Sequence, residues 1–288
     1  MEQNKPSDSI RKEFRPLRGP GPKLELPHIK NIIAVASGKG GVGKSTVAAN
    51  LAAALTAVPD HLAQQNLRIG LLDADIYGPS QSRMMGLTGQ RARAEDGKLI
   101  PLTAYGMKII SMAMLADENA PMIWRGPMIQ TAFTQMLKDV AWGELDVLMI
   151  DLPPGTGDVQ LSLAQKVDAR GAVIVSTPQD IALIDARKAV AMFEKMNTPI
   201  LGMIENMSFY CCPECGHHAE IFNTGGAAQA ADKLGIPFLG AVPLDAAVCE
   251  TSEAGTPIVL AQPDSNPAQV FTAAARHIYG QITRNAAA

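Results

Sequence analysis

Four glycines, two lysines and a Ser-Thr pair are concentrated in one run, Gly38-Lys39-Gly40-Gly41-Val42-Gly43-Lys44-Ser45-Thr46. Glycine has no Cβ, so such a run can curve tightly and turn successive backbone N–H groups toward the oxygens of a phosphate. Lys44 would neutralise the β- and γ-phosphates, Ser45 would hold Mg²⁺, and the positive end of a following helix would add to the field. Residues 38 to 46 are therefore expected to bind a nucleoside triphosphate. Lys39 is not needed to wrap one nucleotide and is expected on the exposed lip of the loop.

Two aspartates sit where phosphate chemistry needs them. Asp73 closes the apolar run Leu71-Leu72 and Asp151 closes Met149-Ile150. In a parallel sheet the carboxyl ends of the strands face the ligand. Asp151 is expected to hold the metal directly or through water, and Asp73 to orient or polarise the hydrolytic water. Pro153-Pro154-Gly155-Thr156-Gly157 follows Asp151 as a candidate switch loop. The amide of Asn206 offers both a donor and an acceptor to the edge of a base.

Cys212 and Cys215 form a Cys-x-x-Cys pair, which is half of a tetrahedral thiolate site, and no second pair exists in the chain. The residues admit three readings: a zinc knuckle completed by His217 or His218, a redox pair, or a half-site that meets its copy in a dimer. Two histidines so close behind the second cysteine are sterically awkward for zinc. A redox pair belongs at the start of a helix in a small thioredoxin-like unit, a context missing here. Cys211 reads as a spare neighbour and Cys249 as a small packed residue.

The glycine-lysine run resembles the deviant Walker A loop of the MinD/ParA/nitrogenase-iron-protein class of ATPases. That resemblance implies a homodimer in which Lys39 reaches the nucleotide of the other subunit. Two cysteine pairs about such a two-fold axis supply four thiolates, the number that suits a [4Fe–4S] cluster. Ser37 to Thr46, Asp73 to Ser80, Trp124-Arg125-Gly126-Pro127, Asp151 to Gln160, Glu205-Asn206-Met207-Ser208 and Cys212 to Gly216 together resemble the Mrp/ApbC family of iron–sulfur cluster carrier ATPases. The resemblance implies slow ATP hydrolysis with Lys39, Lys44 and Asp73 as catalytic residues, adenine as the base, Mg²⁺ on Ser45 and Asp151, and a cluster on Cys212 and Cys215. It implies a cluster donor and recipient apoproteins as partners. Many bacterial members carry an additional small N-terminal domain, where this sequence has a short arm. Two other functions fit parts of the pattern: a MinD/ParA-type positioning ATPase, which has no need of the cysteine pair, and a zinc-binding, nucleotide-sensing scaffold.

The elements that must position these residues are legible as short apolar runs alternating with helical patterns. Ile32–Ala36 precedes the glycine loop as a buried strand, and Val47, Ala48, Leu51, Ala52 and Leu55 follow at helical spacing. Further strands are expected at 67–72, 107–112, 147–152, 172–176, 200–204 and 238–242. The fold class is α/β: a P-loop NTPase with a mostly parallel central sheet and helices on both faces. Residues 77 to 101 read as an insertion of loop and short helix, and the stretch from Asn266 as a helix packed on the core. Residues 1 to 28, punctuated by Pro16, Pro20, Pro22 and Pro27, read as a leader arm, and 29 to 288 as a single P-loop ATPase domain.

Of the 288 residues, 47% are hydrophobic and 18% charged, the balance of a chain with a sizeable core. The net charge of −3 gives no general attraction to nucleic acid or anionic lipid, and neither is expected as a partner. No apolar run approaches the roughly 20 residues that span a bilayer. The N-terminus lacks a signal-peptide core, and Glu2, Asp8 and Glu13 argue against a transit peptide, so the expected location is cytoplasmic.

Overall fold

The computed structural model describes residues 23–60, 65–115, 126–212, 214–222 and 225–284. Trp124, Arg125, Pro213 and the first 22 residues of the expected leader arm lie outside the described residues.

The chain enters through β1 (Ile32–Ser37), α1 (Lys44–Thr56), the short pair β2 (Pro59–Asp60) and β3 (Gln65–Asn66), then β4 (Ile69–Asp73) and α2 (Gln81–Met84). It continues through β5 (Arg93–Glu95), β6 (Lys98–Ile100), β7 (Leu102–Ala104), β8 (Met107–Ser111), α3 (Gly126–Lys138), β9 (Val147–Asp151) and α4 (Asp158–Lys166). Next come β10 (Gly171–Ser176), α5 (Asp180–Lys195), β11 (Ile200–Glu205), β12 (Tyr210–Cys211), β13 (His218–Ala219) and α6 (Gly226–Leu234). The last elements are β14 (Phe238–Ala241), α7 (Ala246–Glu253), α8 (Ile258–Ala261) and α9 (Asn266–Arg284).

Eight strands make the central sheet in the order β14-β11-β10-β1-β9-β4-β8-β7. All neighbours are parallel except β7 and β8. Every residue of β1, β4, β9 and β10 is buried, as apolar strands covered on both faces must be. One face packs α1, α8 and α9 around Leu51, Leu55, Ile258, Phe271 and Ile278; the other packs α3, α4, α5 and α6 around Phe133, Leu163, Phe193 and Ala230. Helix α1 is buried on almost its whole circumference, which explains its run of alanines: it lies between the sheet and α9.

The insertion expected at 77 to 101 contains a hairpin, β5 with β6, and β7 adds an antiparallel edge strand that the apolar pattern did not announce. The last residues of the expected arm are tied down: Leu24 N–H bonds Lys166 O at 2.8 Å, and Leu24 and Leu26, with Ile29 just beyond the arm, pack against the α3–α6 layer.

Candidate nucleotide site and thiolate pair

Strand β1 is central, and the loop that leaves its carboxyl end is the glycine run. Gly43 has φ 77°, a left-handed value that L side chains avoid, and a Cβ on it would stand 2.1 Å from Asn206 Nδ2. Gly38 permits an equally close approach: a Cβ there would meet the backbone carbonyl of Asp185 in α5 at 2.1 Å. The loop is thus held between two elements, with Asn206 donating from Nδ2 to Val42 O at 2.9 Å. Helix α1 starts at Lys44, so its first N–H groups and the loop converge on one point, the arrangement that receives phosphate.

Sheet register brings the acidic residues to that point. Asp73 on β4 stands directly beside Asp151 on β9, and Ser111 on β8 beside Asp73. Lys44 is 5% exposed; its Nζ lies 2.5 Å from Asp151 Oδ1, 3.3 Å from Ser45 Oγ and 4.0 Å from Asp75 Oδ2. The switch-loop candidate is bonded to β1, with Gly155 N–H donating to Ser37 O at 2.9 Å.

Asp73 is completely buried, and its carboxylate accepts from Ser80 N–H (2.9 Å), Gln81 N–H (3.0 Å), Ser111 Oγ (2.9 Å) and Asp75 N–H (3.2 Å). Burial and the facing Asp151 carboxylate push its pKa up to about 7, against the pull of these donors and of Lys44. A carboxylate enclosed in this way fixes the turn into α2. Asp75, two residues on, keeps 13% of its side chain exposed and faces Lys44. Its pKa is also raised, by burial first and by Asp151, with Lys44 acting the other way.

Asn206 lines a cleft of about 350 Å³ with Thr46, Met207, Pro243, Leu244 and Asp245, so the loops that follow β11 and β14 meet beside the glycine run. Cys249, expected to be packed, is instead exposed and lines this cleft, because α7 is a surface helix with no fully buried residue. A larger groove of about 690 Å³ between β6 and α3 is lined by Leu99, Met112, Leu115 and Met128 and holds none of these groups.

The cysteines lie on a small hairpin. Strands β12 and β13 pair antiparallel, Cys212 N–H bonds His217 O at 2.9 Å, and Gly216 N–H bonds Cys212 O at 2.8 Å. Backbone N–H groups of Cys215 and Glu214 point at the Cys212 thiol and lower its pKa, helped by the Cys215 side chain. Among the described residues, no group of three or more Cys, His, Asp and Glu converges as a metal site. The ring of His218 stacks on Phe209 with centroids 5.0 Å apart. The base of the hairpin is joined to the cleft: Leu244 N–H donates to Phe209 O at 2.7 Å and Ser208 N–H to Val242 O at 2.9 Å. Glu205, fully buried at the end of β11, accepts from Ser208 Oγ at 2.5 Å and from the N–H groups of Gly225 and Ala227 at 3.1 and 2.7 Å, which ties the hairpin to α6.

The sheet order, the loop after β1 and the lysine-aspartate pair define the class of protein as a P-loop NTPase. Its fold matches that of the cell division ATPase MinD of Pyrococcus furiosus, at TM-score 0.64 and 22% identity over 88% of this chain and 99% of that one. A nucleotide-binding protein of Archaeoglobus fulgidus, solved in complex with ADP, gives TM-score 0.67 at 40% identity, covering 79% and 87% of the two chains. The model of the ParA family described as NUBPL iron-transfer P-loop NTPase matches residues 28–279, and the chain belongs to this family. It is 51% identical to the iron-sulfur cluster carrier protein of Deinococcus radiodurans over 259 residues, 90% of this chain and 71% of that protein. It is also 46% identical to the mouse iron-sulfur cluster transfer protein NUBPL over 267 residues, 93% of this chain and 81% of that one. Among the described residues no helix is long and apolar enough to cross a membrane.

Proposed function

We propose that this chain is an ATP-hydrolysing carrier that receives a [4Fe–4S] cluster between two copies of itself and passes it to apoproteins. The observation that carries the reading is the Cys212–Cys215 hairpin, a pair of accessible thiols with backbone N–H groups favouring the thiolate of Cys212 and no third ligand beside them among the described residues. A second copy completes the four-thiolate set. Support for the homodimer comes from Lys39, whose ammonium has no partner among the described residues, and from Ile181 and Ile184, exposed on the first turns of α5 beside the glycine run. The names of the relatives agree with the cargo. Recipients and donor would be iron–sulfur proteins, in the cytoplasm.

The glycine run, Lys44 and the start of α1 bind the triphosphate, and Asn206 with the Pro243–Asp245 loop encloses the base. The donor set fits Mg²⁺: Ser45 and Asp151 are hard oxygen ligands, and a buried acceptor with no donor, Gln81 Oε1, lies beside them. Bound there, the ion would neutralise charge developing on the phosphates. Asp75 takes the role expected of Asp73. It is the carboxylate with access to solvent near Lys44, and burial raises its pKa above the ordinary carboxylate value, which makes it a better proton acceptor than a free aspartate. Asp73 holds the loop that carries it. Nucleotide state reaches the cargo through Asn206, because this residue braces Val42 and the same loop runs into the cysteine hairpin. The test is transfer: anaerobically loaded protein should restore a four-iron apoprotein recipient, with ATP changing the rate. Loaded protein that never gives up its cluster to any recipient would contradict the reading.

A further inference from the structure

Gln81 is a polar side chain with no exposure, at the first position of α2. Asp73 fixes its backbone by accepting its N–H. Its Nε2 donates to Ser45 O and to Asp151 Oδ2, both at 2.9 Å, so both hydrogens of the amide are used. That assignment leaves Oε1 as a pure acceptor, and Oε1 is buried with no partner. Buried acceptors are almost always satisfied, since removing one from water without a donor is costly. Gln81 sits among the residues proposed to hold the metal, so its missing donor belongs to whatever enters there.

The chemistry of the possible entrants separates them. Phosphate oxygens of a nucleotide at neutral pH only accept, so the triphosphate cannot satisfy Oε1. Magnesium dehydrates reluctantly and keeps several waters when it binds through one or two protein oxygens, and those waters are donors. We propose that Gln81 Oε1 accepts a hydrogen bond from a water on the Mg²⁺ ion, which makes Gln81 a positioning residue for the hydrated metal. Through one amide it aims Asp151 and recognises the hydration shell. This rests on the reading that Ser45 and Asp151 hold the ion.

The test measures Mg²⁺ affinity directly, by titrating Mg²⁺ into protein bound to a fluorescent ADP, beside ADP affinity in EDTA and the unfolding temperature. Gln81→Leu should weaken Mg²⁺ by about tenfold or more, the usual loss when an outer-shell partner of a metal is removed, and weaken metal-free ADP binding much less, since only one bond to the loop, at Ser45 O, is lost. Gln81→Glu keeps an acceptor but loses the amide donor to Asp151, so its Mg²⁺ affinity should lie between those of Gln81→Leu and the wild type. A purely structural glutamine would show the reverse, since glutamate beside Asp151 is worse placed than leucine. Unchanged Mg²⁺ affinity in Gln81→Leu, with Asp151→Asn weakened, overturns the proposal alone. Unchanged affinity in Asp151→Asn overturns the metal-site reading beneath it. Should the leucine variant fail to fold, Gln81→Met takes its place, and unchanged Mg²⁺ affinity in that variant overturns the proposal.

Discussion

Asp73 and Asp75 lie two residues apart and meet different surroundings, and the difference separates their roles. Asp75→Asn removes a proton acceptor from the solvent side of Lys44 and should lower turnover by about 10²-fold or more, with ATP affinity little changed. Asp73→Ala leaves the N–H groups of Ser80, Gln81 and Asp75 without their acceptor, so it should cost roughly 1–3 kcal/mol of stability. Turnover at saturating ATP and thermal unfolding of the two variants check both. A fully stable Asp73→Ala protein with no turnover, beside an active Asp75→Asn, would reverse the roles. Cys249 provides a chemical probe of the same site, since it is exposed on the cleft wall. A thiol reagent should modify Cys249 in the free protein, and ATP should slow that reaction, as read by mass spectrometry of its peptide; equal rates with and without ATP would move the base out of this cleft.

At the scale of elements, the glycine loop depends on α5 as much as on β1. A methyl group at residue 38 would have to enter the Asp185 peptide, so Gly38→Ala should force the loop and α5 apart. Overpacking of this kind costs about 1–3 kcal/mol, and here the loss should appear in ATP affinity as well as in unfolding temperature. Calorimetric titration with ATP measures the first. The strands of the central sheet were legible because burial on both faces demands unbroken apolar runs, and β1, β4, β9, β10 and β11 fall within a few residues of their expected places. The β5–β6 hairpin was not, since its residues are largely exposed and carry no alternation to read. The glycine run and Lys44 stand out in the sequence by their spacing, and Asp151 by closing an apolar strand run. The enclosure of Asp73, the exposure of Cys249 and the place of Gln81 arise from the register of β4 between β9 and β8 and from the packing of α2 and α7, which join residues distant in sequence.

Across the whole molecule the two ends of the sheet do different work. At the end away from the nucleotide, the nearly buried Asp146 accepts from Arg68 Nε and N–H at 3.0 and 2.9 Å and pairs with Lys30 at 2.8 Å. Burial opposes its charge, but the bonds from Arg68 and Lys30 win and hold its carboxyl well below the usual range. With its folded pKa depressed, the stability it adds is present above the unfolded carboxylate value of about 3.9 and is lost as pH falls below it. Asp146→Asn should therefore unfold at a lower temperature than the wild type at pH 7, and the gap should close below about pH 4. A gap independent of pH would remove Asp146 from the acid response. At the other end, loop, cleft and hairpin are joined by hydrogen bonds, and the carrier reading depends on two hairpins sharing one cluster. The measurement that tests it most directly is iron and sulfide per dimer after anaerobic reconstitution, beside the visible spectrum, for the wild type and for Cys212→Ala, Cys215→Ala and Cys249→Ala. Close to one four-iron cluster per two chains is expected in the wild type and in Cys249→Ala, and none in the other two, with ATP binding retained in all, because a four-iron cluster takes four thiolates and each hairpin variant removes two of them. A cluster that survives in Cys212→Ala and Cys215→Ala, or a wild type that takes up zinc and never iron under reducing conditions, would contradict it.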